Sequence, residues 1–403
     1  MGEKDRQPRV IACCGGMVIV AGLERMTFEA LGALRALGGC VHCIVNSWEN
    51  HRITALAEKI GATWSTGYYR YRLDRRARSP LKVMQILWDI ALTSSGLLRD
   101  AWKFKPTHVL LPEFTAALRN APALALLRML GVRVVLRLGN APDPGTFYRR
   151  VWRWVIDRVV DDYVANSRFT QHALLAHGIS AAKSRLIYNT VPARSPQEGK
   201  SVEADPRKVV FVGQINPEKG LHVLLEAVAL LVSRGHDVVL DVIGQIDGWV
   251  PEGYIGYREA ILKRASEADL HGRVNFLGWR EDVPAILAGA AVHCCPSMPE
   301  QREAFGIVNI EAKQAGIPSV VTAVGALPEL IEHRSDGWIC SEPSAAAIAE
   351  GIEYFLTQPA LRHEAGLQAR VSLEKFVRGR FCELWQQVFS MDVQSYPGER
   401  HKA

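Results

Sequence analysis

The stretch PSMPEQREAFGIVNIE occupies residues 296–311 and contains two glutamates, Glu303 and Glu311, with seven residues between them. A short apolar run that is typical of a strand precedes it. The apolar spacing after Glu303 predicts a helix from Ile307 to Gly316, where a glycine can take the left-handed conformation that ends a helix. A strand, a polar loop and a helix in this order indicate one repeat of an α/β fold.

The beginning of this predicted helix is suited to an anion. Amide groups of a first turn lack partners within the helix, and the helix dipole places its positive end there, which favours a diphosphate. Glu311 lies one turn behind Ile307 on the same face, where its carboxylate can accept hydrogen bonds from a vicinal diol such as a ribose. Glu303 can do the same for the hydroxyls of a transferred sugar. The alternative is two solvated glutamates beside an amphipathic helix.

Length and composition indicate a globular protein of two domains. The chain has 403 residues, of which 48% are hydrophobic and 22% are charged. This is enough for two separate cores and is unlike a disordered sequence. The net charge of +6 favours acidic partners, which include nucleic acid, anionic lipid surfaces and phosphorylated substrates. Eight cysteines without paired zinc-ligand spacing favour a reduced, cytosolic setting.

The apolar stretch at residues 10–23 follows Lys4, Arg6 and Arg9 and superficially resembles a signal peptide. Two consecutive glycines interrupt it, and an amphipathic helix follows. We therefore expect the first strand and loop of a domain. No other segment offers the roughly 18 uncharged apolar residues of a membrane span.

Short apolar runs alternate with helical patterns along the chain in two series. The first series predicts strands at residues 10–14, 41–46, 108–112 and 132–138 and helices at 23–37, 51–60 and 116–130. After a polar linker at 193–207, the second predicts strands at 209–212, 238–243, 274–277, 292–294 and 319–322 and a helix at 221–232. The alternation predicts an α/β fold with two Rossmann-like domains, each a parallel sheet covered by helices.

The predicted boundaries follow from this alternation. The N-terminal domain occupies residues 1–192, the C-terminal domain occupies 193–375, and a tail occupies 393–403. A helix at residues 376–392 has no strand after it. It either caps the second domain or crosses back to the first.

Several nucleotide-binding classes are excluded by their missing motifs. Residues 15–22 read GGMVIVAG, which does not fit the G-x-G-x-x-G of dehydrogenases. Lys219 is followed by glycine and not by Ser or Thr, so there is no P-loop. No Asp-x-Asp occurs, which removes the usual way to hold a metal-bound diphosphate. A phosphate site must therefore consist of amides and cationic side chains.

Two stretches are suited to such a site. Residues 213–220, GQINPEKG, end a strand and open a helix, which is the usual binding edge of these sheets. Lys219 can direct its ammonium at a diphosphate oxygen, although a lysine at a helix start can also be simply solvated. In the first domain, Gly22 at a helix start lets the backbone approach an anion closely.

Together with GALPELI at residues 325–331, these segments resemble the retaining family-four glycosyltransferases of GT-B architecture. The E-x7-E pair is the most specific part. Weaker similarities lie at residues 165–167 and 187–191, and the resemblance covers most of the chain. It implies two Rossmann-like domains facing a cleft, with residues 376–392 crossing back to the first domain.

The resemblance also implies a reaction. A hexosyl or related sugar moves from a nucleotide-diphosphate sugar to an acceptor, with retained configuration and without a metal or another cofactor. The expected acceptor is a lipid-linked or cell-surface glycan precursor of polysaccharide biosynthesis. The alternative is a GT-B-like nucleotide-sugar binding protein or an epimerase that has no transfer activity.

By resemblance, Glu303 contacts the donor sugar and shares catalysis with Lys219, while Glu311 binds the ribose. Backbone amides from Phe305 to Val308 cradle the diphosphate. The complete implied donor-binding set is Gly22, Gly213, Gln214, Lys219, Glu303, Phe305, Gly306, Ile307, Val308 and Glu311.

The sequence departs from the family in two places. Gln214 stands where relatives usually carry an arginine, so Lys219 or Arg302 must supply more of the charge. Gly139 stands where relatives often carry a histidine, and Arg137 or Asn140 is the expected substitute near the donor sugar or acceptor. On the acceptor side, Glu113 at a strand end either orients the acceptor or is a solvated loop residue.

Two clusters of arginines and aromatic residues indicate a membrane surface. Residues 68–78 read YYRYRLDRRAR and residues 147–158 read FYRRVWRWVIDR; on a helix, the second places Phe147, Val151, Trp154 and Val155 on one face. Such segments bind anionic lipid. We therefore expect a cytoplasmic protein that is peripheral at the inner face of the cell membrane. The alternatives are a solvated charge run and a core-packed helix. Nucleic acid is not an expected partner, because no recognition motif accompanies the arginines.

Overall fold

The computed structural model of the chain describes residues 7–18, 20, 22–69, 79–191, 204–245 and 252–390. The chain divides into two compact units. The first unit comprises residues 1–165, 173–187 and 379–403, and the second comprises 166–172 and 188–378.

The first unit contains a parallel sheet of seven strands in the order β3-β2-β1-β4-β5-β6-β7. Its strands are β1 (Arg9–Cys13), β2 (Cys40–Asn46), β3 (Thr63–Gly67), β4 (His108–Leu111), β5 (Arg133–Leu138), β6 (Asp162–Ala165) and β7 (Ser184–Leu186). Its helices are α1 (Gly22–Ala36), α2 (His51–Lys59), α3 (Pro80–Phe104), α4 (Phe114–Met129), α5 (Thr146–Val151), a π-helical segment (Trp152–Ile156), α6 (Asp157–Val159) and a 3-10 turn (Ala181–Lys183). Helix α7 (Arg168–Leu175) has residues in both units.

Both faces of this sheet are buried. Along β1, Ile11 and Cys13 pack on one side with residues from α3, α4 and the π-helical segment. Val10 and Ala12 pack on the other with α1, α2 and the last helix, α15 (Arg378–Phe389). Alternation of side chains along a strand produces these two layers. Trp385 of α15 is 1% exposed, so the last helix belongs to the core of the first unit although it follows the second unit in sequence.

The second unit contains a parallel sheet of six strands in the order β10-β9-β8-β11-β12-β13. Its strands are β8 (Lys208–Val212), β9 (Val239–Ile243), β10 (Val274–Gly278), β11 (Val292–Cys295), β12 (Ser319–Thr322) and β13 (Gly337–Cys340). Its helices are α8 (Leu221–Ser233), α9 (Tyr257–Ala265), α10 (Val283–Ala288), α11 (Ile307–Ala315), α12 (Leu327–Leu330), α13 (Ala345–Thr357) and α14 (Pro359–Ser372), with 3-10 turns at Pro217–Lys219, Glu252–Tyr254, Pro299–Gln301 and Leu373–Phe376.

The predicted fold class is confirmed, because each unit is a parallel sheet covered by helices. In each sheet, the first strand has the next two strands on one side and all the later strands on its other side. The change of direction falls between β1 and β4 in the first unit and between β8 and β11 in the second. Ligands of open α/β sheets bind at the carboxyl ends of the strands at such a point. The loops after these four strands are therefore where a site is expected.

Candidate functional site

The loop between β11 and α11 carries Glu303, whose side chain is almost fully buried in the second unit. Just before it, Arg302 has a left-handed backbone with φ of 45°, which is uncommon for a residue other than glycine. After it, Gly306 takes φ of 75° and opens α11 at Ile307. The helix ends at a left-handed Gly316, so the predicted start and end are both confirmed.

The loop after β8 places Lys219 next to the Glu303 carboxylate. The Asn216 side chain accepts a hydrogen bond from the Lys219 amide at 2.9 Å and begins the short 3-10 turn. Lys219 Nζ then lies 2.6 Å from Glu303 Oε2. Because the two residues follow neighbouring strands, the carboxyl edge of the sheet brings them together across 84 residues of sequence. The two predicted catalytic residues are thus in direct contact.

Two further side chains fix Glu303. Ser297 Oγ donates to Glu303 Oε2 at 3.1 Å, and Thr322 Oγ1 donates to the Ser297 carbonyl at 2.6 Å. Sequence analysis did not identify Ser297. The only feature that could have marked it is a polar residue directly after an apolar strand. The Glu303 carboxylate is therefore held in one place before any ligand arrives.

The charge of Glu303 keeps the Lys219 ammonium protonated. Burial acts to lower the pKa of Lys219, but the negative charge of Glu303, with smaller contributions from Cys295 and Glu218, outweighs it, and the pKa is raised. Burial, reinforced by Glu303, raises the pKa of the Cys295 thiol. An ammonium and a carboxylate in contact present no net charge, so a bound diphosphate needs additional positive groups.

Two glycines allow the loops to approach this closely. A Cβ on Gly220 would lie 1.9 Å from the Pro296 carbonyl oxygen, and one on Gly325 would lie 2.1 Å from the Glu303 carbonyl oxygen. The Ala326 amide also donates to that Glu303 carbonyl at 2.8 Å. The GALPELI segment, residues 325–331, therefore holds the backbone of Glu303 in place.

The rest of the predicted donor set lies in the same unit. Gly213 sits beside the Lys219 side chain, since a Cβ there would be 3.9 Å from Lys219 Cδ. Gln214 is exposed and its side chain accepts from Asn216 at 3.3 Å. Amides of Ile307 and Val308 belong to the first turn of α11, where intrahelical partners are missing. The Phe305 side chain is buried against Tyr188 and Phe376, so only its backbone is placed for a ligand. Glu311 is half-buried on α11.

Four predicted site residues, Gly22, Glu113, Arg137 and Asn140, belong to the first unit. The structure corrects the prediction for Arg137, which is 2% exposed. Its guanidinium donates to the Leu23 carbonyl and to Thr27 Oγ1, both at 3.2 Å. Burial lowers its pKa to about 10, opposed by Glu24. The Arg137 side chain extends from strand β5 toward α1. It therefore fixes the start of that helix and is enclosed away from any acceptor.

Gly139 and Asn140 complete this end of β5. A Cβ on Gly139 would lie 2.2 Å from Leu23 Cδ1, so a larger side chain at this position requires Leu23 to move. Asn140 is exposed. Helix α1 begins at Gly22, as predicted. Of the two residues expected to substitute for the family's histidine, Asn140 is the one that solvent reaches.

A second glutamate acts in a way that sequence analysis missed. The Glu329 carboxylate accepts hydrogen bonds from the amides of Arg168 and Phe169, at 2.8 and 2.6 Å, and from the Tyr188 hydroxyl at 3.1 Å. The two amides open helix α7, so Glu329 satisfies its first turn. Glu329 belongs to GALPELI, which contributes to the family resemblance. The spacing of that motif does not indicate that Glu329 contacts the start of α7.

Comparison with known proteins finds one family model that matches the second unit. Residues 194–372 match the family model of Glycosyl transferases group 1. That segment includes strands β8 to β13 of the second unit and both Lys219 and Glu303. The second unit is thus the part of the chain that is similar to this family.

Curated relatives carry the same kind of name. The amylovoran biosynthesis glycosyltransferase AmsK of Erwinia amylovora is 29% identical over 190 residues, which are 45% of this chain and 44% of that protein. The D-inositol 3-phosphate glycosyltransferase of Corynebacterium urealyticum is 25% identical over 327 residues, 76% of this chain and 71% of that protein. For AmsK and a second relative, the chain spans about half of their length.

Among solved structures, the chain is similar to Anabaena Alr3699/HepE in complex with UDP-glucose. The TM-score is 0.75 with 19% sequence identity, covering 95% of this chain and 99% of that chain. At this identity the similarity shows the fold alone. The fold is GT-B.

Proposed function

We propose that this protein is a retaining glycosyltransferase that moves a sugar from a nucleotide-diphosphate sugar to an acceptor without a metal ion. The contact of Lys219 with Glu303 beside the first turn of α11, in the segment that matches the Glycosyl transferases group 1 model, carries the proposal. Diphosphate oxygens need hydrogen-bond donors and positive charge, which the α11 amides, Lys219 and Arg302 supply. The UDP-glucose bound by HepE, a protein of the same fold, supports a nucleotide sugar as donor.

The proposed mechanism assigns a separate task to each group. Lys219 donates to the leaving diphosphate, whose negative charge grows as the glycosidic bond breaks; such preorganised stabilisation is usually the largest catalytic term. Glu303 accepts hydrogen bonds from hydroxyls of the donor sugar and holds Lys219 in position. Glu311 accepts from the ribose diol. Retention then follows from a front-face displacement with an oxocarbenium-like transition state. The bond from the anomeric carbon to the diphosphate breaks, the acceptor oxygen bonds to that carbon from the same side, and the acceptor proton passes to the departing diphosphate oxygen.

Donor binding tests this proposal directly. In a thermal-shift assay with UDP, GDP and ADP sugars, the sugars of one nucleotide should raise the unfolding temperature of the purified protein. Calorimetry with that donor should show about 30-fold weaker binding for Glu311→Ala, because a charged hydrogen-bond acceptor is lost. Glu364→Ala is the control, since this glutamate is exposed on α14. Stabilisation by no nucleotide sugar, or equal binding by both variants, would contradict the proposal. Donor binding without hydrolysis or transfer would instead favour the binding protein that lacks transfer activity.

The proposed acceptor is a lipid-linked or cell-surface glycan precursor, reached at an anionic membrane surface. Of the arginine-rich segment at residues 68–78, only Tyr68 and Tyr69 are among the described residues. Tyr69 is buried, which corrects its prediction as a surface anchor. The Tyr68 hydroxyl donates to Asp89 at 3.1 Å. The five arginines of that segment, Arg70, Arg72, Arg75, Arg76 and Arg78, lie outside the described residues.

The second cluster supports the membrane proposal more clearly. Phe147 and Trp154 are 70% and 59% exposed, and Val155 is also exposed. The π-helical segment turns Trp152 and Ile156 into the core instead. Exposed arginines surround the outer face: Arg149, Arg150, Arg153 and Arg158. Arg158 lies over the Trp154 ring at 5.2 Å. Aromatic side chains among cations are typical of surfaces that bind anionic lipid.

Helix α3 adds an apolar surface that the sequence did not predict. Its N-terminal half exposes Leu81, Met84, Leu87 and Trp88 by 77%, 65%, 60% and 63%. Contiguous exposed apolar side chains commonly mark protein or membrane interaction sites. None of the helices among the described residues is both long and apolar enough to cross a bilayer.

Liposome sedimentation tests the membrane proposal. Wild-type protein should bind vesicles that contain anionic lipid, and binding should weaken with salt because the attraction is screened. Changing Leu87 and Trp88 together to Ser, or Arg72, Arg75 and Arg76 together to Glu, should weaken binding at least about tenfold. Trp102→Ser, at the other end of α3 and 80% exposed, serves as control. Equal binding to neutral vesicles, or no binding to either, would favour a soluble acceptor.

A further inference from the structure

The loop that carries Lys219 is held from two sides at the carboxyl edge of the second sheet. Strand β8 lies between β9 and β11, so the loops after these three strands are neighbours at that edge. On the β11 side, Lys219 Nζ contacts Glu303, and the Met298 amide donates to the Glu218 carbonyl at 2.8 Å. On the β9 side, the contacts come from the segment at residues 252–257, which leads into α9.

Two tyrosines of this segment bind the β8 loop and the helix that follows it. The Tyr254 hydroxyl donates to Glu218 Oε1. The Tyr257 hydroxyl accepts from the His222 amide at 3.3 Å and lies 3.0 Å from His222 Nδ1. Helix α8 begins after Gly220 without a side-chain cap, so the Tyr257 hydroxyl satisfies an amide of its first turn. The segment is therefore fixed to the start of α8, and it places the Tyr254 hydroxyl beside Glu218.

Glu218 and Lys219 are consecutive in sequence, but their side chains bond on opposite sides of the loop. Lys219 bonds to Glu303 after β11, whereas Glu218 bonds to Tyr254 after β9. Against the effect of burial, the charge of Glu303 and, to a smaller extent, that of Glu218 raise the pKa of Lys219. The Glu218 carboxylate is thus within electrostatic reach of the lysine although it does not bond to it.

Tyr254 is the donor in its contact with Glu218. Burial, with smaller contributions from the hydrogen bond and the charge of Glu218, raises the pKa of Tyr254 to about 12. The hydroxyl therefore keeps its proton at neutral pH. A hydrogen bond from a neutral hydroxyl leaves the charge of the carboxylate in place, but it fixes where that charge lies.

The position of this charge matters to a diphosphate. Lys219 and Glu303 together carry no net charge, so a Glu218 carboxylate that turned toward them would make the site negative. It would repel the phosphate oxygens and would compete with them for the Lys219 ammonium. In the structure, Tyr254 holds it on the side of the loop that faces away from Glu303.

We propose that Tyr254 is a positioning residue that holds the Glu218 carboxylate away from the diphosphate of the donor and so leaves Lys219 to Glu303 and the donor. The inference rests on the proposed function and adds a residue whose effect passes through Glu218. Tyr254 lies 36 residues after Glu218 and belongs to no motif that the sequence analysis identified. Only the neighbouring positions of β8 and β9 bring the two side chains together.

Calorimetry with inorganic diphosphate, and with the nucleotide sugar that raises the unfolding temperature, tests this role. Tyr254→Phe removes only the hydroxyl and should weaken the binding of both ligands about tenfold, because the Glu218 carboxylate is released near their phosphates. Adding Glu218→Gln to Tyr254→Phe should restore most of the lost affinity, since the released group is then neutral. A loss of loop order alone would not be restored by this second change.

Tyr354→Phe is the matched control. Tyr354 also lies in the second unit, where its ring packs on Trp338 and Phe355. Its hydroxyl has no hydrogen-bond partner among the residues that the structure describes. This variant should bind both ligands as the wild type does, and thermal unfolding should show that every variant is folded.

The outcomes separate this inference from the proposed function. If the wild type binds donor, then unchanged binding in Tyr254→Phe, an equal loss in Tyr354→Phe, or no recovery in the double variant overturns the inference alone. If no nucleotide sugar binds but inorganic diphosphate follows the expected pattern, the proposed function fails and the role of Tyr254 stands. If the wild type binds neither ligand, both are wrong.

Discussion

Replacing Lys219 with methionine is expected to reduce sugar transfer at least about 100-fold, the usual cost of removing one preorganised donor from a developing negative charge. Methionine keeps most of the side-chain volume and removes only the ammonium. The Glu303 carboxylate then keeps Ser297 as a partner but loses its cation. Breaking a buried ion pair from one side costs about 3 kcal/mol. A lower unfolding temperature should therefore accompany the loss of activity.

A double-mutant cycle separates catalysis from stability. Glu303→Gln alone should also reduce transfer strongly, and adding it to Lys219→Met should cost little more, because residues that act as a unit are not additive. The double variant should regain stability, since no unpaired charge remains. Gln214→Arg should be tolerated or should improve donor affinity, because it adds a cation on the same loop. Wild-type donor affinity and turnover in Lys219→Met would show that the loop is structural only.

Changing Gly220 to alanine should have the second large effect, through the backbone alone. Gly220 has φ of 72°, and an added Cβ would meet the Pro296 carbonyl oxygen at 1.9 Å. Since that oxygen belongs to the backbone, the loop that carries Glu303 must shift. We expect about 3 kcal/mol of lost stability, from strain and displaced contacts, and at least a tenfold loss of transfer.

Gly272→Ala is the matched control for this change. Gly272 has φ of 73°, in the same unit, but an added Cβ would meet nothing within 4 Å. It should therefore cost only the left-handed backbone penalty of about 1 kcal/mol and leave transfer unchanged. Thermal unfolding and steady-state kinetics on both variants give the comparison. Equal losses for Gly220→Ala and Gly272→Ala would mean that the contact with Pro296 does not position Glu303.

In the described part of the second unit, the sequence identified five of the six strands and helices α8 and α11, because its information there is local. The Ile307 helix and its Gly316 end were predicted from apolar spacing and a terminal glycine, and α8 from a 3.6-residue period. These are properties of neighbouring residues, and the structure reproduces them. Helix α3 was missed for the same reason. Its first half carries apolar residues on exposed positions, so it lacks the one-sided pattern of a helix packed on a core.

Site residues show the same division. Lys219 and Glu303 were proposed from separate motifs, and only the order of strands in the sheet places their side chains in contact. Arg137 was predicted, with Asn140, as a substitute for the histidine that relatives carry at the position of Gly139. In the structure its side chain points under α1 and bonds to Leu23. Spacing along a strand gives alternation of faces, but it does not say which face a helix covers.

The sequence by itself determined the α/β class, the two Rossmann-like units and the motifs that suit a diphosphate, because these depend on residue type and short-range spacing. The tertiary structure decided which distant residues meet. Glu329 reaches the start of α7, α15 packs in the first unit, and Gly16 and Glu113 come together at one sheet edge. Such contacts depend on strand order and crossover direction, which the packing of whole helices and sheets sets and which no local pattern encodes.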